Sequence, residues 1–220
     1  MSAPRSARRL AVIAAHAENM TIGRGGGLPW SIKPDFDRFL HLVTVADNID
    51  CVMGRHVFDE LTAMKKMPLT GGENVVISSS MAQPPGRELP DRVTVLPSVE
   101  AFLSRPAGPN LSYVLGGSRI YSSLMPHASL LRLTHIHAPY DGDTFFPAYD
   151  LKEWAEVFRR DEVRVRDRKS GAEVDLTFID YIRPGSEIKL AQDMSSANQP
   201  STRSAQDMSS ANQPSTRSQD

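Results

Sequence analysis

Four short stretches hold residues able to do chemistry. The first centres on Asp35, which is followed by Phe36, Phe39, Leu40 and Val43 at helical spacing, so a carboxylate sits on or beside the apolar face of a helix. Burial there raises a carboxyl's pKa, and a cationic or amidine-like ligand group offsets that cost through a paired hydrogen bond. The same position also suits an ordinary acid that favours a helix N-terminus. The second stretch is Gly23-Arg24-Gly25-Gly26-Gly27-Leu28-Pro29-Trp30. Its run of glycines gives the backbone mobility, which would let Leu28, Pro29 and Trp30 close over a pocket as a lid. A plain surface loop with its Trp in the core is the alternative.

The third stretch, Val114-Leu115-Gly116-Gly117-Ser118-Arg119-Ile120-Tyr121, runs from strand character through a glycine pair into a helix. Glycine lets backbone N–H groups approach a ligand closely, and a helix start favours phosphate or pyrophosphate. The spacing is not GxGxxG, so it is no Rossmann fingerprint. The fourth, Val52-Met53-Gly54-Arg55-His56-Val57-Phe58, repeats the pattern with a guanidinium and an imidazole, and Ser78, Ser79 and Ser80 follow the next strand. Two anion-friendly helix starts point to a dinucleotide, and Arg55 with the serine hydroxyls suits a 2′-phosphate, favouring NADP over NAD. The histidines include His135 and His137, spaced two apart along a strand. No His, Cys and Asp spacing marks a zinc site, no Ser-His-Asp arrangement marks a nucleophile, and no metal is expected.

These groups need a scaffold. Apolar, β-branched runs at 10–15, 50–53, 74–78, 93–96, 112–115 and 130–138 mostly lack strict alternation. Such strands belong in a sheet covered on both faces, usually parallel with helical crossovers. Helices fit between them at 34–45, 55–61, 98–103 and 118–125, the first with Pro34 in its opening turn. Segments 156–168 and 173–183 do alternate, and form a hairpin across Lys169-Ser170-Gly171. The expected fold is α/β: a central, mostly parallel sheet with helices on both faces and an antiparallel C-terminal hairpin.

The chain has 220 residues, 40% hydrophobic and 23% charged, with a formal net charge of −1. This excludes collagen-like and fully disordered classes and gives no window long enough to span a membrane. It also lacks the basic excess of a nucleic-acid binder. The single cysteine, Cys51, lies in an apolar run and reads as a small buried hydrophobe in a reducing compartment. Arg5, Arg8 and Arg9 before the run 10–15 look like the start of a targeting peptide, but the run stops at His16 and Glu18, which suits a first strand better. Cytoplasmic placement follows as the default, with mitochondrial import left open. Residues 1–8 read as a flexible lead. From 185 to 220 there is no aromatic residue, and the unit 191–204 recurs letter for letter as 205–218. That polar tail cannot repay the entropy of ordering and is expected to be disordered. One domain, 9–184, remains.

Taken together, the residues closely resemble the dihydrofolate reductase family. Ile13-Ala14-Ala15, Ile22-Gly23, Leu28-Pro29-Trp30, Asp35 with Phe39, Met53-Gly54-Arg55, Pro68-Leu69, Gly116-Gly117 with Tyr121, Leu133-Thr134-His135-Ile136 and Gly142-Asp143-Thr144-Phe145-Phe146-Pro147 follow in family order from about 10 to 182. The resemblance implies a three-layer sandwich, NADPH as cofactor, and reduction of 7,8-dihydrofolate to tetrahydrofolate in support of one-carbon and thymidylate metabolism. It implies that Asp35 binds the pterin and assists protonation at N5, with Thr134 supporting it and Trp30 and Leu28 covering the reacting rings. Ile13, Phe36, Phe39, Leu61 and Leu69 would line the substrate pocket, with Leu115 and Tyr121 near the nicotinamide. Arg55, His56, Ser78, Ser79 and the segment Gly116, Gly117, Ser118, Arg119, Ile120 would hold the cofactor phosphates beside Gly54 and Val57. Ala15, Ile22 and Gly23 would meet the nicotinamide and ribose. A monomer acting on a small molecule is implied, with no nucleic acid or membrane partner.

Three departures stand out. Gly72 occupies the position where the family places an arginine that forks onto the folate α-carboxylate. Losing such a pair weakens binding by roughly 1.5–3 kcal/mol, about ten- to a hundredfold. Lys65 or Lys66 would compensate only as point charges, and restoring arginine at 72 is expected to lower KM for dihydrofolate. Val57 replaces a threonine near a cofactor phosphate, and the tail is foreign to the family. Two other readings follow: a reductase of a pterin or heterocycle lacking the glutamate tail, and a weakly active homologue acting as a binding protein.

Overall fold

The computed structural model describes residues 8–44, 49–69, 72–81 and 89–186. In chain order the elements are β1 (Leu10–Ala17), β2 (Thr21–Gly23), α1 (Lys33–Thr44), β3 (Ile49–Gly54), α2 (Arg55–Ala63), β4 (Asn74–Ile77), β5 (Val93–Leu96), α3 (Val99–Ser104), β6 (Leu111–Gly116), α4 (Ser118–Leu124), β7 (Leu130–Ile136), β8 (Thr144–Phe145), β9 (Ala155–Arg166) and β10 (Glu173–Ile182). Eight strands make one sheet in the order β5-β4-β3-β6-β1-β7-β10-β9. Pairing is parallel from β5 through β7, and antiparallel where β10 joins β7 and β9. The helices flank this sheet, so the expected α/β architecture is the one observed.

Burial explains the missing alternation. All of β4 and β6 is buried, and so is β7 apart from His135. In β1, Leu10, Val12 and Ala14 pack with Phe102 of α3 and Ile120 and Leu124 of α4. Ile13, one residue out of phase, points to the other face, as a strand's period of two requires. At the sheet's edge β9 presents Arg159, Arg160, Arg164 and Arg166, charge that discourages pairing with another chain.

Two of the boundaries that differ from the sequence reading have a visible cause. β1 runs on through His16 to Ala17, because His16 is packed as an aromatic residue, its ring 4.5 Å from that of His135 and 5.6 Å from Phe146. Arg8 belongs to the folded domain and not to a loose lead: its guanidinium donates to the carbonyls of Phe102, Arg105 and Pro106 at 3.3, 2.9 and 3.2 Å. The pair β2–β8 was not foreseen; with three and two residues it leaves no periodic signal. Gly142 permits it, since a Cβ there would lie 2.3 Å from Thr21 Cγ2 and 2.4 Å from the Gly23 carbonyl oxygen. Residues 1–7 and the repeat-bearing tail from 187 onward lie outside the described residues. Among the described residues no helix is long and apolar enough to cross a membrane.

Candidate active site

A cavity of about 670 Å³ opens between α1, α2 and the sheet beside the loop that follows β2. Asp35 enters it from the first turn of α1, where the Phe36 N–H bonds the Ile32 carbonyl at 3.2 Å. Thr134, fully buried on β7, hydrogen-bonds the Asp35 carboxylate. Burial pushes Asp35 above the usual carboxylate range, while the Thr134 bond and the positive charge of Arg38 pull it back part of the way. A carboxyl raised in this way keeps its proton to higher pH than a free one, as a group that assists protonation must.

Ile13, Phe36, Phe39, Leu61 and Leu115 give the same cavity its apolar walls. Tyr121 closes one end, its hydroxyl donating to the Ile13 carbonyl at 2.7 Å. The chain bends around this ring at Gly116, with φ of +119° and a notional Cβ only 3.2 Å from the Tyr121 ring, so glycine is required there. The Gly116–Gly117 peptide is cis.

The other end of the cavity is polar. Ala15, Ile22, Gly23, Gly54, Arg55, His56 and Val57 line it, as do Gly117, Ser118, Arg119 and Ile120. Arg55 reaches Asp59 and the Ser80 hydroxyl at 3.3 Å each, and Ser80 contacts the Ser78 hydroxyl at 3.2 Å. Ser78 and Ser79 themselves do not line the cavity; the serine run turns so that Ser80 meets the guanidinium. At the start of α2, Gly54 is in extended conformation with no side-chain cap, which leaves the first backbone donors to a ligand. Gly117 has nothing within 4 Å of a notional Cβ. Uncapped N–H groups with Arg55, His56, Arg119 and the Ser118 hydroxyl form a donor set that suits the phosphates of a dinucleotide. No group of three or more His, Cys, Asp or Glu among the described residues has metal-site geometry.

The glycine loop is a closed turn. Gly25 and Gly26 adopt φ of +58° and +86°, Arg24 and Gly27 exchange backbone bonds at 2.9 and 3.2 Å, and Gly25 N–H donates to Asp143 at 2.8 Å. Leu28 faces the cavity, its N–H bonded to the Glu60 carboxylate and its carbonyl to Lys169 Nζ at 2.6 Å. Trp30 does not line the cavity. It is 3% exposed, edge-on to Tyr140 at 5.2 Å, and clustered with Ile32, Leu176 and Phe178. Of Leu28, Pro29 and Trp30, only Leu28 therefore borders the cavity, while Trp30 roots the loop in the core. Asp167 fixes that root by accepting from Ser31 N–H, Lys169 N–H, Ser170 and Tyr140 at 2.8, 2.9, 2.6 and 3.1 Å. Burial alone would raise the Asp167 carboxyl, but these four donors outweigh it and hold it below the usual range.

Two further expectations need correction. Leu69 is 2% exposed, its N–H bonded to Asn74 at 3.2 Å, and is not part of the cavity wall. Gly72 is buried, with a notional Cβ 1.8 Å from the Ile49 carbonyl oxygen, so no arginine side chain leaves the backbone there. Neither Lys65 nor Lys66 is among the lining residues. Arg38, Glu60 and Thr144 do line it and were missed. Arg38 was legible in principle, three residues beyond Asp35 on one helix face.

The model of the dihydrofolate reductase family matches residues 9–183. The dihydrofolate reductase of Neisseria meningitidis is 34% identical over 176 residues, 80% of this chain and 98% of that protein. That of Bacillus subtilis is 30% identical over 177 residues, 80% and 96% respectively. The solved dihydrofolate reductase from Enterococcus faecalis, complexed with NADP(H) and RAB-propyl, superposes with a TM-score of 0.64 at 28% identity, covering 80% of this chain and 96% of that one. Each of these relatives is matched over nearly its whole length, and the family model spans every element that frames the cavity; on that ground the chain belongs to the dihydrofolate reductase family.

Proposed function

We infer that the chain is an NADPH-dependent oxidoreductase that reduces 7,8-dihydrofolate to tetrahydrofolate, and that residues 9–184 are its catalytic domain. The observation behind this reading is a raised, Thr134-bonded carboxyl at the apolar end of a cavity whose other end presents glycines, cations and hydroxyls.

NADPH, when bound, supplies the hydride that C6 of the pterin accepts. Asp35 holds the 2-amino group and the adjacent ring nitrogen, and favours the proton gained at N5. Thr134 fixes the carboxylate's orientation. Ile13, Phe36, Phe39, Leu61 and Leu115 exclude water, which strengthens every charge interaction near Asp35. Leu28 covers the rings, with Trp30 anchoring its loop and Tyr121 closing the nicotinamide end. Arg55, His56, Ser118 and Arg119 would hold the phosphates of the cofactor, and Ala15, Ile22 and Gly23 would meet its ribose and nicotinamide. A cytoplasmic monomer is the arrangement proposed, with Cys51 a buried thiol as in a reducing compartment.

One observation favours a second substrate class. Gly72 has no room for a side chain, and Arg38, the cation nearest the pterin end, is bonded to Asp180. A pterin without a glutamate tail would lose nothing from this. A pure binding role is disfavoured, because it has no need of a polar pair inside an apolar pocket.

NADPH oxidation by the purified protein, with dihydrofolate and separately with a dihydropterin lacking glutamate, tests these readings. Turnover of dihydrofolate supports the first, turnover of dihydropterin alone the second, and turnover of neither defeats both. Asp35→Asn is expected to lower turnover at neutral pH by about a hundredfold or more while NADPH still binds; full activity would remove Asp35 from the mechanism.

A further inference from the structure

Beneath Asp35 lies a second set of charges, all on one face of the sheet. Thr134 and Arg132 are two residues apart on β7, and Phe178 and Asp180 stand opposite them on β10 in register. A strand's period of two puts all four side chains on the same face, the face that α1 covers. From α1, one turn after Asp35, Arg38 reaches down to Asp180 with a 2.6 Å bond and to the Leu133 carbonyl at 3.4 Å. Its guanidinium centre lies 5.1 Å from the Phe178 ring. Arg132 is wholly buried, its Nε 3.9 Å from the second Asp180 oxygen. Arg38 also lines the cavity that holds Asp35. Burying an Arg–Asp–Arg cluster is a costly way to fill space, since desolvation commonly exceeds the Coulombic gain.

We propose that Arg38 is a positioning residue for the reaction: clamped by Asp180, it keeps one positive charge fixed beside Asp35 and so sets the pH at which turnover falls away. The inference rests on Asp35 being the carboxyl that manages the proton. Hydride transfer requires a proton at N5, so the rate falls as pH rises through the loss of the Asp35 proton. A fixed cation favours the charged carboxylate and lowers that pH; its removal raises it. Asp180 offsets part of the Arg38 charge. With Asp180 neutralised, Arg38 and Arg132 act on Asp35 together and the fall-off moves the other way.

Other groups around Asp35 are already engaged. From α4 the Tyr121 hydroxyl is bonded to Ile13, and burial pushes it well above its ordinary value. From α2, Glu60 is bonded to Leu28 and faces Lys169. On β9, Arg160 lies over the Phe178 ring at 4.8 Å and pairs with Glu162 at 3.2 Å. Arg38 is therefore the cation tied most directly to the Asp35 carboxyl.

The test is the pH profile of single-turnover hydride transfer in NADPH-saturated wild type, Arg38→Gln, Arg38→Lys and Asp180→Asn. Dihydrofolate binding across the same pH range, followed by tryptophan fluorescence, gives a readout independent of turnover. Arg38→Gln should move the midpoint up by about one pH unit in both measurements. Arg38→Lys, which retains the charge, should leave it near wild type, and Asp180→Asn should move it down. Arg38→Gln leaves Asp180 facing Arg132, so the fold survives that change even if Asp180→Asn does not fold. An Arg38→Gln midpoint equal to wild type in both readouts overturns the proposal. Asp35→Asn in parallel separates the two levels: if it is inactive while Arg38→Gln is unmoved, only this inference falls, and if it is fully active the Asp35 assignment falls with it.

Discussion

Introducing a side chain at Gly72 sets a steric cost against an electrostatic gain, and the structure gives both sizes. A Cβ at 72 would lie 1.8 Å from the Ile49 carbonyl oxygen, 2.6 Å from its carbon and 2.9 Å from Asp50 Oδ1. Relief requires the backbone to move by more than an ångström. That motion pulls on the Cys51 N–H to Glu73 carbonyl bond at 2.8 Å and the Glu73 N–H to Asp50 bond at 3.0 Å, which start the β3–β4 pairing. Overpacking costs about 1–3 kcal/mol and a strained buried hydrogen bond about 1 more, so Gly72→Ala should destabilise by about 2–4 kcal/mol. For a domain of this size that lowers Tm by about 5–15 °C. A forked arginine–carboxylate pair contributes only about 1.5–3 kcal/mol to folate binding. Gly72→Arg is therefore expected to lose stability and leave KM for dihydrofolate unimproved, contrary to the expectation from sequence. Thermal unfolding of both variants with and without NADPH, and KM for dihydrofolate, check this. Gly72→Ala as stable as wild type, or a tenfold lower KM in Gly72→Arg, would refute the steric reasoning.

Two more predictions follow from particular contacts. Arg55→Ala should weaken NADPH binding about tenfold while changing NADH binding little, because the guanidinium beside Ser80 is the cation assigned to the extra phosphate; equal losses for the two cofactors in a fluorescence titration would displace it from that role. His135 is lowered from the ordinary 6.5 to about 4 by burial first, then by the charges of His16, His137 and Arg159. In the unfolded chain it takes up a proton near pH 6.5 that the folded chain refuses until about 4, so its contribution to stability is present above 6.5 and lost as pH falls across that window. His135→Phe should flatten this loss in urea unfolding series run between those pH values, and parallel slopes for the two proteins would count against it.

The strands of the central sheet were readable because their burial on both faces shows up as continuous apolar runs, as in Val75-Val76-Ile77 and Leu130-Leu131. Asp35 was readable because a helix repeats every 3.6 residues and its apolar partners follow at once. What failed depended on contacts between distant segments. Trp30 was assigned to the lid, but Tyr140 and Phe178 draw it into the core. Gly72 was treated as a vacant arginine position, and only the path of β3 reveals the missing volume. Arg38 and Asp180 are 142 residues apart, and neither residue's neighbours in sequence announce the pairing.

The hairpin of β9 and β10 is formed last in the chain but finishes what the beginning starts. Asp167, at its turn, clasps the root of the Leu28 loop, and Asp180 on β10 supplies the partner for Arg38 beneath Asp35. A chain that has emerged only through β7 therefore already contains Asp35 and Arg38, yet leaves β7 as an open edge and Arg38 without its Asp180 partner. The pairing of β7 with β10 is non-local and slow by comparison with the local helix–strand units. Completion of the charge cluster below Asp35 thus waits on β10, the strand that carries Asp180.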